Sequence, residues 1–533
     1  MQPQPASDFS TELLRDYRLG IVSRECSLLG RKEVLTGKAK FGIFGDGKEL
    51  AQLAWARVFR DGDFRSGYYR DQTFMLAIGA LTPQQFFASL YADTDVEREP
   101  SSAGRQMNGH FATRTINADG TWKRLVDHKN VSADISPTGG QMPRLLGLAQ
   151  ASKVYRAQGV DNGFSRKGAE VAWGTIGNAS SSEGLFWETI NAAGVLQVPM
   201  VALVWDDEYG ISVHAEHQTT KQNISKILAG FQRQDATKGQ AEDKGYEIIV
   251  ARGWNYAELV AAFEQAEKVA REEHVPVLLH VREMTQPQGH STSGSHERYK
   301  SKERLEWEQE YDCLRQFRLF LESNKIAKAK DLDALEEAAR AEVRDAMKAA
   351  FEDFLQPLKR TRDQAVAWLE ELGAEDLAAP LRADKAPLRR DSVAAVRKAI
   401  QRRKAGGLDA LGAPLWVETQ LTTKAERVLR PPRSAMRVHP RTGSRERSLF
   451  VSAWPRWVVP NSYVNASWIP SLDVPWSLNP VFSIGVTKSK TWIRDWSFNW
   501  KPSPPWLAKM DRWVWRFFAR KRVGTLPMKW MWM

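Results

Sequence analysis

Short apolar runs bounded by glycine or proline recur along residues 21–300 and alternate with helical stretches. The four clearest runs are 171–176, 200–205, 246–251 and 276–281, all rich in β-branched residues. Their apolar residues are consecutive, whereas a strand with one solvent-exposed face alternates apolar and polar positions. Strands buried on both faces of a parallel sheet have this pattern, so we predict an α/β fold with a doubly wound, mostly parallel sheet.

The segments between and after these runs have apolar residues at helical spacing. One stripe over 257–273 predicts a helix that packs on the sheet. The charge-rich segment 302–372 predicts helices with one packed and one solvated face. A cap-like Asp391 and Ser392 predict a further short helix that ends near residue 403.

Composition divides the chain into a near-neutral body and a basic end. Residues 416–533 carry 20 Lys and Arg against 6 Asp and Glu, and they hold 13 of the 21 tryptophans. The net charge of +12 therefore comes from this end and does not describe the body. We predict an N-terminal tail and lead-in over 1–20, a main α/β domain with C-terminal helices over 21–372, a linker with a short helix over 373–415, and an atypical tail over 416–533.

Three interpretations of the basic, Trp-rich tail compete. It could bind nucleic acid by phosphate pairing and base stacking, or lie on an anionic membrane surface. The third interpretation is a disordered segment, or one translated from a shifted reading frame, without a selected fold. We favour the third, because the tail has few acids and no periodicity.

Cysteine usage and the N-terminal sequence bear on the compartment. Cys26 and Cys313 are the only cysteines, which excludes a disulfide framework and a cysteine-rich metal site. The sequence has no run of 18 uncharged apolar residues and no signal-peptide pattern. We therefore expect a cytoplasmic protein.

Polar residues follow two of the predicted strands. A turn of small residues, 177–184, follows the first run, and Asp206 and Asp207 follow the second. The carboxyl ends of neighbouring parallel strands lie at the same sheet edge, where open α/β sheets bind ligands. A Gly-Asn-Ala-Ser turn that enters a helix offers N–H groups to a phosphate, and hard oxygen ligands beside it suit Mg²⁺. The sequence thus predicts a phosphate and magnesium site.

Several segments also match a known enzyme family in order. The turn at 177–179, followed about 30 positions later by an acidic pair, is similar to a thiamine diphosphate-binding motif. The other matches are SGYYRDQ (66–72), AGRQMNGHF (103–111), ISPTGGQMP (135–143), SEG (182–184) and QGHSTS (288–293). On these motifs the first 300 residues resemble the α subunit of the E1 component of 2-oxoacid dehydrogenases, most closely the branched-chain type.

The resemblance implies a site for thiamine diphosphate and Mg²⁺. Arg70 would form charge-assisted bonds to the diphosphate, and His290 would be the catalytic histidine that faces cofactor and substrate. We expect a pKa that can cross neutrality for this histidine. The implied metal ligands are the side chains of Asn178 and Asp207 and the carbonyl of Tyr209. The implied cofactor-binding residues are Tyr69, Arg70, Ser136, Thr138, Gly177, Ala179, Ser180 and His290.

Two positions depart from the family pattern. The acid and the amide of the metal motif are interchanged, with Asn178 first and Asp207 second. The interchange keeps one carboxylate and one amide, so Mg²⁺ coordination remains feasible. Trp205 stands where branched-chain relatives often have a diphosphate-binding arginine, which leaves more of the anion's charge to Arg70, His290 and Mg²⁺. Ser291, phosphorylated in eukaryotic relatives, is expected here to order its loop.

The implied function is oxidative decarboxylation of a 2-oxo acid such as 3-methyl-2-oxobutanoate, with acyl transfer to a lipoyl-bearing E2 protein. Pyruvate dehydrogenase E1 α is the alternative within this class. The family's aminopyrimidine-binding glutamate comes from a β subunit or β half, which 416–533 does not resemble. We therefore predict an incomplete enzyme that needs a β partner in a hetero- or homo-oligomer. An alternative of another class is a catalytically silent interaction protein whose basic tail binds nucleic acid or membrane.

Overall fold

A six-stranded, fully parallel sheet lies at the centre of the described structure. The structure is a computed structural model and describes residues 9–234 and 244–405. The sheet strands are β1 (Phe64–Ser66), β2 (Asn130–Val131), β3 (Ala172–Gly177), β4 (Met200–Trp205), β7 (Glu247–Arg252) and β8 (Val277–Arg282), in the order β2-β1-β3-β4-β8-β7. A separate antiparallel pair consists of β5 (Tyr209–Gly210) and β6 (Val213–His214).

Each sheet face is covered by its own apolar cluster. On β4, Val201 and Leu203 belong to one buried cluster, while the alternating residues Ala202 and Val204 belong to the other. Helices pack on both faces, which explains why the strands are apolar at consecutive positions. The prediction of a doubly wound α/β fold is confirmed. The four predicted runs correspond to β3, β4, β7 and β8, and their boundaries agree within one residue.

Helices connect these strands, and further helices follow the last strand. The helix predicted over 257–273 begins at Tyr256 and continues past Lys268 as a π-helical turn. The helices are α1 (Phe9–Leu35), α2 (Glu49–Val58), α3 (Gln72–Ala77), α4 (Pro83–Leu90), α5 (Gln141–Gln158), α6 (Gly184–Leu196), α7 (Ile224–Ile227), α8 (Tyr256–Lys268), α9 (Lys302–Glu310), α10 (Cys313–Ser323), α11 (Ala329–Glu371), α12 (Glu375–Ala383) and α13 (Arg389–Ala405).

Two predicted segment boundaries differ from the structure. The lead-in over 1–20 has no boundary at residue 20, because α1 continues through it with Tyr17 and Ile21 buried. The segment 373–405 is not a linker with one short helix. It forms α12 and α13, which pack on the end of α11 through Leu369, Leu381 and other apolar residues. The burial of these side chains makes this part of the chain a packed helical element.

Some predictions concern residues that the structure does not describe. The tail over 416–533 and the end of the predicted linker lie outside the described residues. Within 9–234 and 244–405, none of the helices combines the length and the apolar character needed to cross a membrane.

Candidate cofactor site

A cavity of about 420 Å³ opens at the carboxyl edge of the sheet. Its walls come from the segments that follow β1, β2, β3, β4 and β8, together with the residue before α2. All of the site residues predicted from the sequence line this cavity: Tyr69, Arg70, Ser136, Thr138, Gly177, Asn178, Ala179, Ser180, Asp207, Tyr209 and His290. The topology thus brings together residues that are more than 200 positions apart in the sequence.

Arg70 and His290 form one hydrogen-bonded unit in the cavity wall. Arg70 Nη1 donates to the carbonyl of Phe44 at 2.6 Å, and Nη2 contacts His290 Nδ1 at 2.9 Å and the His290 carbonyl at 3.1 Å. Since a guanidinium has no acceptor, His290 Nδ1 must accept this bond. The proton of the neutral imidazole then lies on Nε2, which leaves an N–H donor on the other side of the ring.

The environment of His290 holds its imidazole neutral. Burial and the neighbouring Arg70 guanidinium lower the pKa of His290 to about 4. The expectation of a pKa that crosses neutrality is therefore wrong, because the same arginine that orients the ring also opposes its protonation. At pH 7 this side chain can orient a bound group through Nε2–H, but it carries no second proton to give away.

The two side chains of the predicted metal site lie on adjacent strand ends. In the β3–β4 register, Gly177 pairs with Trp205, and the N–H of Asn178 donates to the Trp205 carbonyl at 3.0 Å. Asn178 and Asp207 therefore follow neighbouring strands at the same sheet edge, whose backbones are about 4.8 Å apart. Tyr209, the source of the predicted carbonyl ligand, lies two residues beyond Asp207 and lines the same cavity.

The donor set fits a magnesium–diphosphate headgroup. Among the described residues there is no group of three or more His, Cys, Asp or Glu side chains that could hold a metal by themselves. One carboxylate, one amide and a carbonyl are hard oxygen donors, and Mg²⁺ commonly completes such a set with phosphate oxygens and water. Asn178 Nδ2 is buried without a hydrogen-bond partner, and this N–H donor could bond a phosphate oxygen while the amide oxygen faces a metal ion. Asn178, Asp207 and the Tyr209 carbonyl are therefore the residues that would hold the metal.

Ala179 and Ser180 occupy the turn between β3 and α6. A short 3₁₀ helix, Ser180–Ser182, begins here, and α6 follows with Glu183 at its N-cap. The first N–H groups of a helix have no partner within it and favour an anion. The hydroxyl groups of Thr138 and Ser180 lie 2.5 Å apart, which ties this turn to the segment before α5. The arrangement fits the predicted diphosphate-binding role.

Two serines that the sequence singled out have protein partners. Ser136 Oγ lies 3.1 Å from Nε2 of the buried His110. Ser291 Oγ lies 2.8 Å from Ser293 Oγ, and the Ser293 N–H also points to it. Ser291 therefore orders its own loop, as the sequence analysis expected.

Lys48 is a cavity residue that the sequence analysis missed. Its ammonium is buried and lies 2.8 Å from Asp207 Oδ2, 2.6 Å from the Thr285 carbonyl and 2.8 Å from Gln286 Oε1. Burial acts to raise the pKa of Asp207, but Lys48 and Arg70 outweigh it and lower that pKa to about 2. Burial also lowers the pKa of Lys48, against the opposing effect of the Asp207 carboxylate.

Two glycines bring Lys48 into the site. A Cβ atom on Gly45 would lie 2.2 Å from the Arg70 carbonyl oxygen, and one on Gly47 would lie 2.1 Å from the Thr285 carbonyl oxygen. Gly47 also has φ +84°, a backbone conformation that favours glycine. The sequence Gly-Asp-Gly-Lys at 45–48 was the available signal, since a glycine-flanked turn before a helix allows close backbone approach.

Buried polar contacts fix the end of β4. Asp206 Oδ2 lies 2.8 Å from Nε2 of the fully buried His280. Arg304 Nη2 donates to the Asp207 carbonyl at 3.0 Å, and its other nitrogens bond nearby acidic side chains. Trp205 Nε1 donates to Asp71 Oδ1 at 3.1 Å. These bonds hold the backbone of Asp207 in place, which a metal ligand requires.

The cavity fits an enzyme that would bind a diphosphate and a metal ion at the edge of an α/β sheet. The family model of the dehydrogenase E1 component matches residues 22–358, more than half of the chain. The chain belongs to this family.

Three relatives illustrate the similarity. The α subunit of 2-oxoisovalerate dehydrogenase from Bacillus subtilis is 27% identical over 316 residues, which is 58% of this chain and 82% of the relative. The mitochondrial 2-oxoisovalerate dehydrogenase subunit alpha 1 from Arabidopsis thaliana is 25% identical over 60% of this chain and 59% of its own length. The pyruvate dehydrogenase E1 component subunit alpha from Rickettsia prowazekii is 25% identical over 60% and 84%.

These relationships define the chain as the E1 α component of a 2-oxoacid dehydrogenase, an oxidoreductase. The family depends on thiamine diphosphate, typically with a divalent metal ion such as Mg²⁺, and its α subunits act with β subunits and an E2 protein.

Proposed function

We propose that the chain is the E1 α portion of a branched-chain 2-oxoacid dehydrogenase with a substrate similar to 3-methyl-2-oxobutanoate. The supporting observation is an apolar wall in the cavity. Ile211 and Val213 line the cavity, as Tyr69 does, and are 61% and 44% exposed. Exposed apolar side chains at such a position favour a branched alkyl group, because each buried CH₂ contributes about 0.8 kcal/mol. The Bacillus subtilis relative, named for 2-oxoisovalerate, supports the same substrate class.

The residues of the cavity have separate tasks in this proposal. Bound thiamine diphosphate supplies the electron sink for the loss of CO₂. Arg70 binds the diphosphate, while Asn178 and Asp207 hold the metal ion. His290 is neutral, so it adds no charge to the site, and it orients the bound groups through its Nε2–H. The buried bonds at the end of β4 keep these groups in place, so little reorganisation is required during the reaction.

We also propose the partners and the compartment. A β subunit or β half supplies the aminopyrimidine-binding glutamate in an oligomer, and a lipoyl-bearing E2 protein accepts the acyl group. A cytoplasmic location is consistent with Cys26 and Cys313, which are both buried free thiols.

The test is a comparison of two substrates with the full chain and an E1 β subunit. We expect kcat/KM for decarboxylation of 3-methyl-2-oxobutanoate to exceed that for pyruvate at least tenfold, since two additional methyl groups contribute about 1.6 kcal/mol. Ile211→Ala should reduce this preference. Val250→Ala, at an apolar residue that is 48% exposed outside the cavity, is the matched control and should not.

Each result has a distinct meaning. A preference for pyruvate would assign the chain to pyruvate dehydrogenase, whose α subunits are also among its relatives. If neither substrate were decarboxylated although the cofactor bound, a catalytically silent protein would be the better account. An unchanged preference in Ile211→Ala would remove the apolar wall as the basis of specificity.

A further inference from the structure

A buried ammonium group lies beside one of the residues that would hold the metal. Lys48 is only 1% exposed, and its three N–H groups have three acceptors, one of which is the Asp207 carboxylate at 2.8 Å. The other acceptors are the Thr285 carbonyl and the Gln286 side chain, both on the segment after β8. Lys48 therefore links the end of β4 to the end of β8 through the site.

Both oxygens of the Asp207 carboxylate already have a protein partner. Oδ2 accepts from Lys48, and Oδ1 accepts from the Tyr209 N–H at 3.2 Å. A metal ion that arrives alone must compete with the ammonium for this carboxylate. Because both ions of a buried pair are desolvated, loss of one partner leaves an uncompensated charge and is costly. A free metal ion is thus opposed by the charge already in the site.

A diphosphate changes this balance. It brings negative charge to a cavity wall that contains Lys48 and Arg70. When a metal ion and a diphosphate bind together, the metal neutralises the Asp207 carboxylate and the diphosphate neutralises the Lys48 ammonium. Trp205, at the end of β4, contributes no cation, because an indole is uncharged, and its N–H donates to Asp71. The fixed positive charges near Asp207 are those of Lys48, the N-cap residue of α2, and of Arg70 and Lys300, and among these Lys48 has the largest effect.

We propose that Lys48 is a positioning residue that holds and neutralises Asp207, so that the site takes up the metal ion together with the diphosphate and binds the metal poorly alone. This inference rests on the proposed function, since it takes the cavity to be the cofactor headgroup site.

The first test uses the metal ion alone. Mn²⁺ binding to the full chain is measured by electron paramagnetic resonance, without cofactor, for the natural protein and for Lys48→Met. We expect at least tenfold tighter Mn²⁺ binding in Lys48→Met, because Asp207 is then free to act as a ligand. Lys38→Met is the matched control, because it removes a lysine that pairs with the buried Glu33 outside the cavity. Unchanged or weaker Mn²⁺ binding in Lys48→Met would overturn the inference.

The second test uses thiamine diphosphate with and without Mg²⁺ in calorimetry. In the absence of metal, Lys48→Met should bind the cofactor at least tenfold more weakly than the natural protein, and added Mg²⁺ should improve its affinity by a larger factor. If Mg²⁺ improved the affinity for thiamine diphosphate by the same factor in both proteins, the inference would be overturned. If the natural protein did not bind thiamine diphosphate even with Mg²⁺, the proposed function would fail, and the Mn²⁺ measurement would still decide the role of Lys48.

A second pair of variants covers the case in which Lys48→Met does not fold. Asp207→Asn removes the carboxylate, and the double variant Lys48→Met/Asp207→Asn leaves no unpaired charge. Without metal, the double variant should bind thiamine diphosphate at least tenfold more weakly than Asp207→Asn. Equal affinities would show that the Lys48 charge does not act on the anion, and would contradict the proposal.

Discussion

Arg70→Met tests the anchoring of the cofactor diphosphate. The substitution removes a guanidinium that is 5% exposed and that faces the cavity between Phe44 and His290. Methionine keeps much of the length and apolar volume of the side chain, so the principal change is the loss of charge and of hydrogen-bond donors.

The structure sets an upper limit on the expected effect. Arg70 uses three of its five N–H groups for the Phe44 carbonyl, His290 Nδ1 and the His290 carbonyl. Two remain for the diphosphate, and each charge-assisted bond contributes about 1.5–3 kcal/mol. The loss of both corresponds to about 3–6 kcal/mol, or roughly 10²- to 10⁴-fold in Kd.

The assay is calorimetric titration of the full chain with thiamine diphosphate in the presence of Mg²⁺. Arg31→Met is the matched control, because Arg31 donates to the carbonyls of Gln288 and Ser291 on the same loop but does not line the cavity. We expect the control to keep its affinity within about threefold, well below the value of one such hydrogen bond. A similarly small change in Arg70→Met, with an unaltered melting temperature, would refute the assigned role of Arg70.

Three further predictions concern pH dependence, the end of β4 and the C-terminal helices. His290 has a folded-state pKa of about 4, below its usual 6.5, so the unfolded chain takes up a proton first and stability is lost as pH falls from about 6.5 to about 4. Urea unfolding at pH 7 and 4.5 should show a smaller loss in His290→Gln than in the natural protein, and equal losses would contradict the assigned environment. Trp205→Phe leaves Asp71 Oδ1 without its indole donor and should lower the free energy of unfolding by about 1–3 kcal/mol; a loss of cofactor affinity above tenfold at unchanged stability would instead make Trp205 a diphosphate ligand. Leu381→Ala should cost about 2–5 kcal/mol in urea unfolding, because Leu381 is buried in the packing of α11, α12 and α13. No measurable cost would restore the interpretation of this segment as a linker.

Much of the central fold could be predicted from hydrophobic pattern alone. The strands β3, β4, β7 and β8 are buried on both faces, and this burial requires the consecutive apolar residues that the sequence displays. The short strands β1 and β2 were not predicted, because they have only three and two residues and no apolar run. In β1 the buried side chain of Arg65 is compensated by Asp71 and Asp134, a pairing that only the folded structure reveals.

The linker predicted after residue 373 is wrong because its apolar side chains are buried in the folded structure. Alanine- and proline-rich composition suggested a linker after residue 373, but Ala378 and Leu381 find buried partners on α11. Asn178 and Asp207 could be predicted from polar residues at the ends of predicted strands, whose proximity follows from a parallel sheet. Arg70 and His290 were implied by the family resemblance.

Lys48 could not be placed by the same argument. A lysine before a helix is ordinarily solvated. Its burial depends on the close approach of Gly45 and Gly47 to the backbones of Arg70 and Thr285, which are distant in sequence. The neutral state of His290 likewise follows from burial in the folded structure and from a contact with Arg70, 220 positions away.

The most direct test of the central claim is the position of a metal ion relative to Asn178 and Asp207. Crystals of the full chain grown with thiamine diphosphate and MnCl₂ would give an anomalous diffraction signal from manganese. We predict a manganese peak at the carboxyl edge of β3 and β4, within about 2–2.5 Å of the Asn178 amide oxygen and an Asp207 carboxylate oxygen, with the diphosphate beside Arg70. A manganese peak elsewhere, or cofactor bound without contact to these residues, would contradict the account.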